Sequence, residues 1–456
     1  MAEGPTPSRM RFLPASKLSE RIRRGIGAVL VFHVVLTAGL VFVNGCGDEG
    51  KAPDTDASGN DSNQAMLVRV AHHGKWGYVD SSGRVRIPLR YSSALRFSNG
   101  RAPVEQRGKW GLIDRNGAAV VEPSYRTIRY FHGDLYACAR PGPVAGTLSW
   151  VLLDAETGHE RRLPGVMEIG HSNGHPLLPF RSVAEDGGQD GGSADWGYLG
   201  TDGNVAIQAR FTEATWFEGK LARVRVGRKW GLIGREGNFV VQPTLDFINF
   251  IEPAPLMPWR KRFYRVRNEG LYGYIRPDGR WLLRPQFEVA SEFAQQWAAV
   301  CTREGVWGFT DTIGRMRLAM AETDVPEGRP INGFWNGLAA VHTKGGAVAW
   351  IDRSGKVRIK PQEMSLTLGR FDYGASAGWL RRDGKRVVSA LMDSRGALIF
   401  GPRRCMIFHV PWVSRLWRIS VSEESENIWT YVTPEGKILW LPEGHPWKDA
   451  DRSPSE

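Results

Sequence analysis

The chain is poor in the residues that reaction chemistry and covalent cross-linking require. Its 456 residues hold four cysteines and ten histidines. No Cys-x-x-Cys occurs, so neither a zinc framework nor a dithiol redox pair is supported. Gly-x-Ser-x-Gly, a phosphate-cradling glycine loop and a zincin motif are all missing, which removes the commonest signatures of hydrolases and nucleotide-using enzymes. Lysine and arginine exceed aspartate and glutamate by 60 to 48, yet no run of five or six like charges exists to form a polyelectrolyte tail. The sequence is therefore read as that of a non-enzyme, with no cofactor and no metal.

What the chain has is a period. Gly-Lys-Trp-Gly, an aromatic or aliphatic residue, Ile or Val, then Asp-x-x-Gly runs from Gly74 to Gly83 and again from Gly108 to Gly117. With the Trp as anchor, ten units start at Trp76, Trp110, Trp150, Trp196, Trp230, Tyr272, Trp307, Val348, Ser389 and Trp429, spaced by 34 to 46 residues. Nine of them place a glycine seven residues after the anchor, from Gly83 to Gly436. Such rigid placement signals a tight turn that the preceding Asp opens by accepting backbone N–H groups and that Gly closes at positive φ. Apolar residues alternate with period two on both sides, as in Trp110 and Leu112 before the turn and Ala119 and Val121 after it, so the turn joins two antiparallel strands. A proline follows in most units, as at Pro88, Pro123, Pro243 and Pro285, and is expected to end the second strand because it has no N–H to donate. A short run such as Leu221 to Val224 or Ala299 to Cys301 makes a third strand ahead of the next anchor.

The expected fold is all-β, built from tandem three-stranded antiparallel β-meanders of about 35 residues that must lean on one another for a core. Closure into a propeller-like assembly is favoured over an open β-solenoid, because the irregular stretch after each proline has room for a short fourth strand. Ten units exceed the about four to eight blades of ordinary propellers, so two rings, or one ring with extra units, are the arrangements expected. One large ring per unit, at Trp76, Trp110, Trp196, Trp230, Trp307 and Trp429 above all, is expected to form a stacked ladder in the core, and the following Gly to let a neighbouring backbone approach. The units resemble the bacterial tryptophan-glycine (WG, or KWG) repeat, matched closely over Lys75 to Ile87, Lys109 to Val121, Asp195 to Ile207 and Lys229 to Val241, with Asp195, Gly200 and Gly234 as departures. That resemblance implies a repeated β-scaffold and brings no catalytic residues with it.

Domain boundaries follow composition. Residues 1–45 open with six Lys or Arg against Glu3 and Glu20 and continue into an apolar run from Ile26 to Val43, the form of a signal peptide or membrane anchor. The run ends in Val43-Asn44-Gly45-Cys46, which resembles a bacterial lipobox and makes Cys46 the expected lipidation site; an uncleaved anchor is the alternative. Residues 46–65 read as a disordered acidic tether, 66–442 as the repeat domain and 443–456 as a flexible C-terminal tail. Either reading of the N-terminus places the repeats in the cell envelope outside the cytoplasm. The leader carries +4 and the tether −4 of the total of +12, so the folded part is itself basic.

Sites of added function are few. The insertion between the third and fourth units carries His171-Ser-Asn-Gly-His175 and a glycine tract from Glu185 to Gly192; a metal site there is disfavoured because Asn173 and Gly174 make a turn, not a helix face. His72, His73, His132, His342 and His409 lie on or near strand ends, where surface or capping roles are expected. Cys138 and Cys301 take positions of small apolar core residues, while a Cys138–Cys301 or Cys301–Cys405 bridge stays open. The leading expectation is an envelope-tethered scaffold that binds another envelope protein or an anionic polymer, nucleic acid being the least expected partner. Its rival is carbohydrate or cell-wall binding through exposed aromatics.

Overall fold

Alternation of buried valines with solvent-facing partners builds the first unit, in which Val68–His72 pairs antiparallel with Lys75–Val79 and that strand with Val85–Tyr91. The computed structural model of the chain describes residues 66–182, 195–249, 263–362 and, with short gaps, 364–447. Cys46, the leader, the tether and the glycine tract lie outside them. Ten such units follow one another, and a 3-10 turn at Met320–Glu322 is the only helical element among the described residues.

Most units have four strands where three were expected. The extra strand comes from the stretch after each proline: Ser93–Ala94 pairs with Arg101–Gln106, Glu213–Ala214 with Ala222–Val226, and Phe247–Ile248 with Tyr264–Asn268. Trp281–Ala290 runs on from the sixth unit into the seventh and merges both into one seven-stranded sheet.

The prolines do not stop their strands. Val85–Tyr91, Ala119–Tyr125, Phe239–Leu245 and Trp281–Ala290 each pass through one. Tyr78 faces Ile87 but Trp76 faces Tyr91, so three residues cross over where the partner strand has only Gly77. Pro88 sits in this bulge, where no ladder bond is asked of it. The bulging backbone rests on the glycine: a Cβ at Gly77, Gly197, Gly231 or Gly273 would stand 2.5, 2.5, 2.6 or 2.7 Å from the carbonyl oxygen of Ile87, Ile207, Val241 or Leu283. The second glycine of the motif is there for that approach.

Neighbouring units supply one another's cores. Tyr78, Ile87 and Tyr91 of the first unit pack with Ala94, Phe97, Ala102 and Ile113 of the second, and equivalent clusters recur along the chain. Hydrogen bonds stitch the same boundaries. The Tyr78, Tyr198 and Tyr274 hydroxyls donate to the Leu95, Thr215 and Ser291 carbonyls at 2.5, 2.7 and 2.6 Å. Arg69, Arg223 and Arg265 donate to the Ala94, Ile248 and Ala290 carbonyls at 2.9, 2.9 and 2.5 Å. Burial pushes the three phenols far above their usual range, so each stays a neutral donor.

The succession closes on itself. Gly117, Gly237, Gly314 and Gly396, closing the turns of their units, each abut the outer strand of the unit before, at Ile87, Ile207, Leu283 and Ile359. Gly83 of the first unit, at φ +83°, abuts Leu439 of the last in the same way. Val68–His72 also pairs with Glu426–Val432 through Ala71 and Trp429, so the first and last units share a six-stranded sheet. The contacts therefore run through all ten units in one propeller-like circuit, not in two rings and not in an open solenoid.

Candidate interface at the hairpin end

Each unit has two ends, one formed by the Asp-x-x-Gly turn and the other by the hairpin that leads into the anchor residue. At the turn end the recurrent aspartates do what their spacing implies. Asp80 Oδ1 accepts the Ser82 and Arg84 N–H groups at 2.9 and 3.1 Å, and Asp114 Oδ1 those of Asn116 and Ala118 at 2.9 Å each. Asp352 is raised by partial burial but more than offset by bonds from Ser354 and Arg358, so its pKa falls to about 2. Between the fifth and sixth units this end holds a depression of about 380 Å³ lined by Lys220, Leu221, Arg235, Val240, Pro277 and Asp278.

The anchor indoles mark the hairpin end. Trp76, Trp110, Trp196, Trp230, Trp307 and Trp429 are half-buried, in contrast to Trp150, Trp350 and Trp417, which are buried. The anchors do not form a ladder deep in the core: all six are half-buried, and all but Trp429 stand first or second in their strands, next to the hairpin. Trp76, Trp110, Trp196 and Trp230 join clusters there. An arginine lies over several of the rings: Arg69 over Trp76 at 5.5 Å, Arg225 over Trp230 at 5.8 Å, Arg329 over Trp307 at 5.9 Å and Arg418 over Trp429 at 4.6 Å. These guanidiniums are a feature that sequence reasoning missed; only Arg69 stands seven residues ahead of its anchor, a place that Arg265 shares over Tyr272 at 5.5 Å, and the others come from no fixed position in the repeat.

Charge at this end is uneven. In the fifth unit Lys229 Nζ meets Asp246 Oδ1 at 2.5 Å, and Asp246 Oδ2 accepts the Glu269 N–H of the sixth hairpin at 2.7 Å. The residue that follows the outer strand thus sits between two neighbouring hairpins. The Lys229 bond holds the Asp246 carboxyl below its usual range. Between the second and third units, Arg140 grips Glu160 through both its nitrogens, Tyr125 donates to the same carboxylate and the guanidinium lies 4.7 Å over the Tyr125 ring. The Arg140 bonds lower the Glu160 pKa, while burial and the Glu160 bond raise that of Tyr125.

The histidine pair of the insertion is a stitch across three units. Ser172 Oγ donates to the Phe131 carbonyl of the third unit at 2.8 Å, and His132 Nδ1 meets the Gly174 carbonyl at 2.5 Å. Asn173 Nδ2 donates to the Phe217 carbonyl of the fifth unit at 2.9 Å, and the His175 ring stacks on Phe217 at 5.0 Å. Burial, then the charge of Arg235, lowers the His175 pKa to about 4. The Leu177 N–H donates to its Nδ1 at 3.1 Å. No group of three or more His, Cys, Asp or Glu that could hold a metal ion occurs among the described residues. Cys138, Cys301 and Cys405 are free thiols, so neither bridge that the sequence left open is formed; burial pushes the Cys405 thiol up to about 12. Within 443–456, His445 is buried and lies against Trp447, whose ring meets Phe400 of the ninth unit at 6.4 Å. Among the described residues no helix is long and apolar enough to cross a membrane.

Comparison with known proteins bears on the repeat itself. Residues 76–110, 110–140, 196–230, 230–253 and 272–307 match the family model of the WG containing repeat. WG repeats thus lie within residues 76–307. Beyond that stretch the motif has decayed while the strands persist. No curated protein matches the chain at a significant level. Among solved structures, a eukaryotic initiation factor is 13% identical with a TM-score of 0.46, over 82% of this chain and 95% of that one. BamB from Moraxella catarrhalis is 10% identical with a TM-score of 0.32, over 75% and 97%. Dipeptidyl peptidase 4 from Porphyromonas gingivalis is 9% identical with a TM-score of 0.35, over 79% and 64%.

Proposed function

We propose that the protein is an envelope-tethered β-repeat scaffold whose hairpin end binds another protein or an anionic envelope polymer. The observation that carries this reading is the circuit itself. It sets hairpins side by side, most of them with a half-buried aromatic and with cations that only some units neutralise. Tethering through a lipid on Cys46 or an uncleaved anchor, with the repeats outside the cytoplasm, rests on the sequence of residues 1–65. Sugar stacking on the anchors is the weaker alternative, because it requires a bare ring face and several anchors have one face against a neighbouring unit and a guanidinium over the ring. No catalytic step is assigned.

The reading is tested by crosslinking and mass spectrometry on intact envelopes. Partners crosslinked to hairpin lysines such as Lys75, Lys109 and Lys229 support it. Crosslinks confined to the Asp-x-x-Gly end, or recovery only with cytoplasmic proteins, defeat it.

A further inference from the structure

The hairpin end of the first two units is the place where the neutralising acid of the repeat is missing. In the fifth unit the residue after the outer strand is Asp246, bonded to Lys229. The second unit has the same strand pairing, with Trp110 facing Tyr125 as Trp230 faces Leu245. There the corresponding residue is Arg126, so Lys109 has a like charge where Lys229 has its partner. Arg107, at φ +52° on the hairpin tip, and Lys75 on the adjoining first hairpin extend the row. All four side chains are exposed, and no ion pair to any of them occurs among the described residues. The acids nearest in sequence are Glu105, half-buried on the second strand, and Glu122 on the outer strand. Like charges held together by a rigid sheet raise the local potential and draw a counter-anion to the corner.

We propose that Lys75, Arg107, Lys109 and Arg126 form a binding corner for an acidic polysaccharide, a refinement that rests on the scaffold reading above. Arg126 and Arg107 offer planar forks suited to carboxylates, and the two lysines act as point charges along the chain. A polymer without bases is favoured over nucleic acid, because Trp76 and Trp110 are half-buried and, at Trp76, a guanidinium lies over the ring, leaving no free platform for base stacking. It is favoured over a lipid surface because neither of these two hairpins exposes a large apolar side chain to insert; exposed Val144 belongs to the hairpin of the third unit, and Val226, Phe247 and Val306 to the hairpin ends of the fifth to seventh.

The test titrates polygalacturonate onto the full-length protein in detergent, at several salt concentrations. Wild type is expected to bind with an affinity that falls as salt rises. Arg126→Asp, which copies the fifth unit, should weaken binding about tenfold and flatten the salt dependence by about two released ions, since one cation is lost and another neutralised. Lys109→Gln should act in the same direction by about half as much on the salt slope, and Asp246→Arg should strengthen binding. Arg126 and Lys109 are exposed and Asp246 is half-buried, and an unchanged melting temperature confirms intact folding of each variant. If Arg126→Asp and Lys109→Gln bind like wild type, the corner is not the site and the inference fails while the polymer reading stands. If wild type ignores polygalacturonate but holds duplex DNA or anionic vesicles, the ligand class is wrong. If it ignores all three yet crosslinks to envelope proteins at its hairpin lysines, this inference falls and the scaffold reading survives.

Discussion

The fifth and eighth units have one topology and opposite solutions to the contact that the motif creates. In the fifth, Trp230 is half-buried at the hairpin end, Gly231 follows it, and the facing strand takes two extra residues between its pairings with Leu232 and Trp230. In the eighth, Val348 holds the anchor position, Ala349 follows it, and the indole has moved two places on as Trp350, fully buried. The facing strand there takes only one extra residue, since Trp350 faces Ile359 and Val348 faces Gln362. The ninth unit repeats this pattern, with Ala390 between Ser389 and Leu391. In the first, second and fourth to sixth units a glycine after the anchor admits the wider crossing of the backbone, and in the eighth and ninth an alanine goes with a narrower one; Gly308 of the seventh unit pairs with Ala319 without a bulge, so the glycine permits the wide crossing and does not impose it.

That contrast is open to direct attack. The largest effect is expected from the displaced indole: Trp350→Ala should cost about 4 kcal/mol, and Trp230→Ala about half of that because its ring is half in water. Guanidinium unfolding of the two variants, followed by fluorescence, checks the ratio; equal losses would mean that the indole serves both units alike. Gly231→Ala should cost about 3 kcal/mol by forcing a Cβ into the Val241 carbonyl. The reciprocal Ala349→Gly should cost only about 1 kcal/mol, the ordinary entropy of a glycine in a strand. If Gly231→Ala proves as mild as Ala349→Gly, the link between glycine and bulge is wrong. Tyr274→Phe, at a boundary of the glycine type, should lose about 1 kcal/mol for one hydrogen bond to the Ser291 carbonyl.

The turns differ too, and pH separates them. Asp352 of the eighth unit has its pKa lowered from 3.8 to about 2, whereas the fifth unit has Gly234 at that position. A carboxylate with a depressed folded-state pKa stabilises above its unfolded value, and that contribution is lost as pH falls from about 4 toward 2. Asp352→Asn should therefore reduce the acid sensitivity of unfolding in that window and leave its slope above pH 5 unchanged. A wild-type slope across pH 4 to 2 in the Asn variant would show that other carboxylates dominate.

Much of one unit was legible because its causes are local. Strand alternation, the Asp bonds of the turn, positive φ at Gly83 and Gly117 and the close approach over Gly77 all follow from residues within one period. The bulges were not legible, since a proline removes a donor wherever it stands and only the facing strand decides whether that donor was needed. The Arg126 and Asp246 contrast was visible as letters but had no meaning until the pairing of outer strand and hairpin put each beside a lysine. The histidine loop of the insertion could not be placed either, because the partners of Ser172, Asn173 and His175 lie about forty residues away at Phe131 and Phe217.

By itself, the order of residues determined that this protein is a series of small antiparallel sheets, most with an aromatic anchor and a turn closed by glycine, since short-range sterics and alternating hydrophobicity act within each period. Tertiary structure alone decided that the ten units close in one circuit. Whether Gly83 meets Leu439, and Ala71 meets Trp429, depends on the small rotation between neighbouring units summed over the whole chain, and no single period contains that sum.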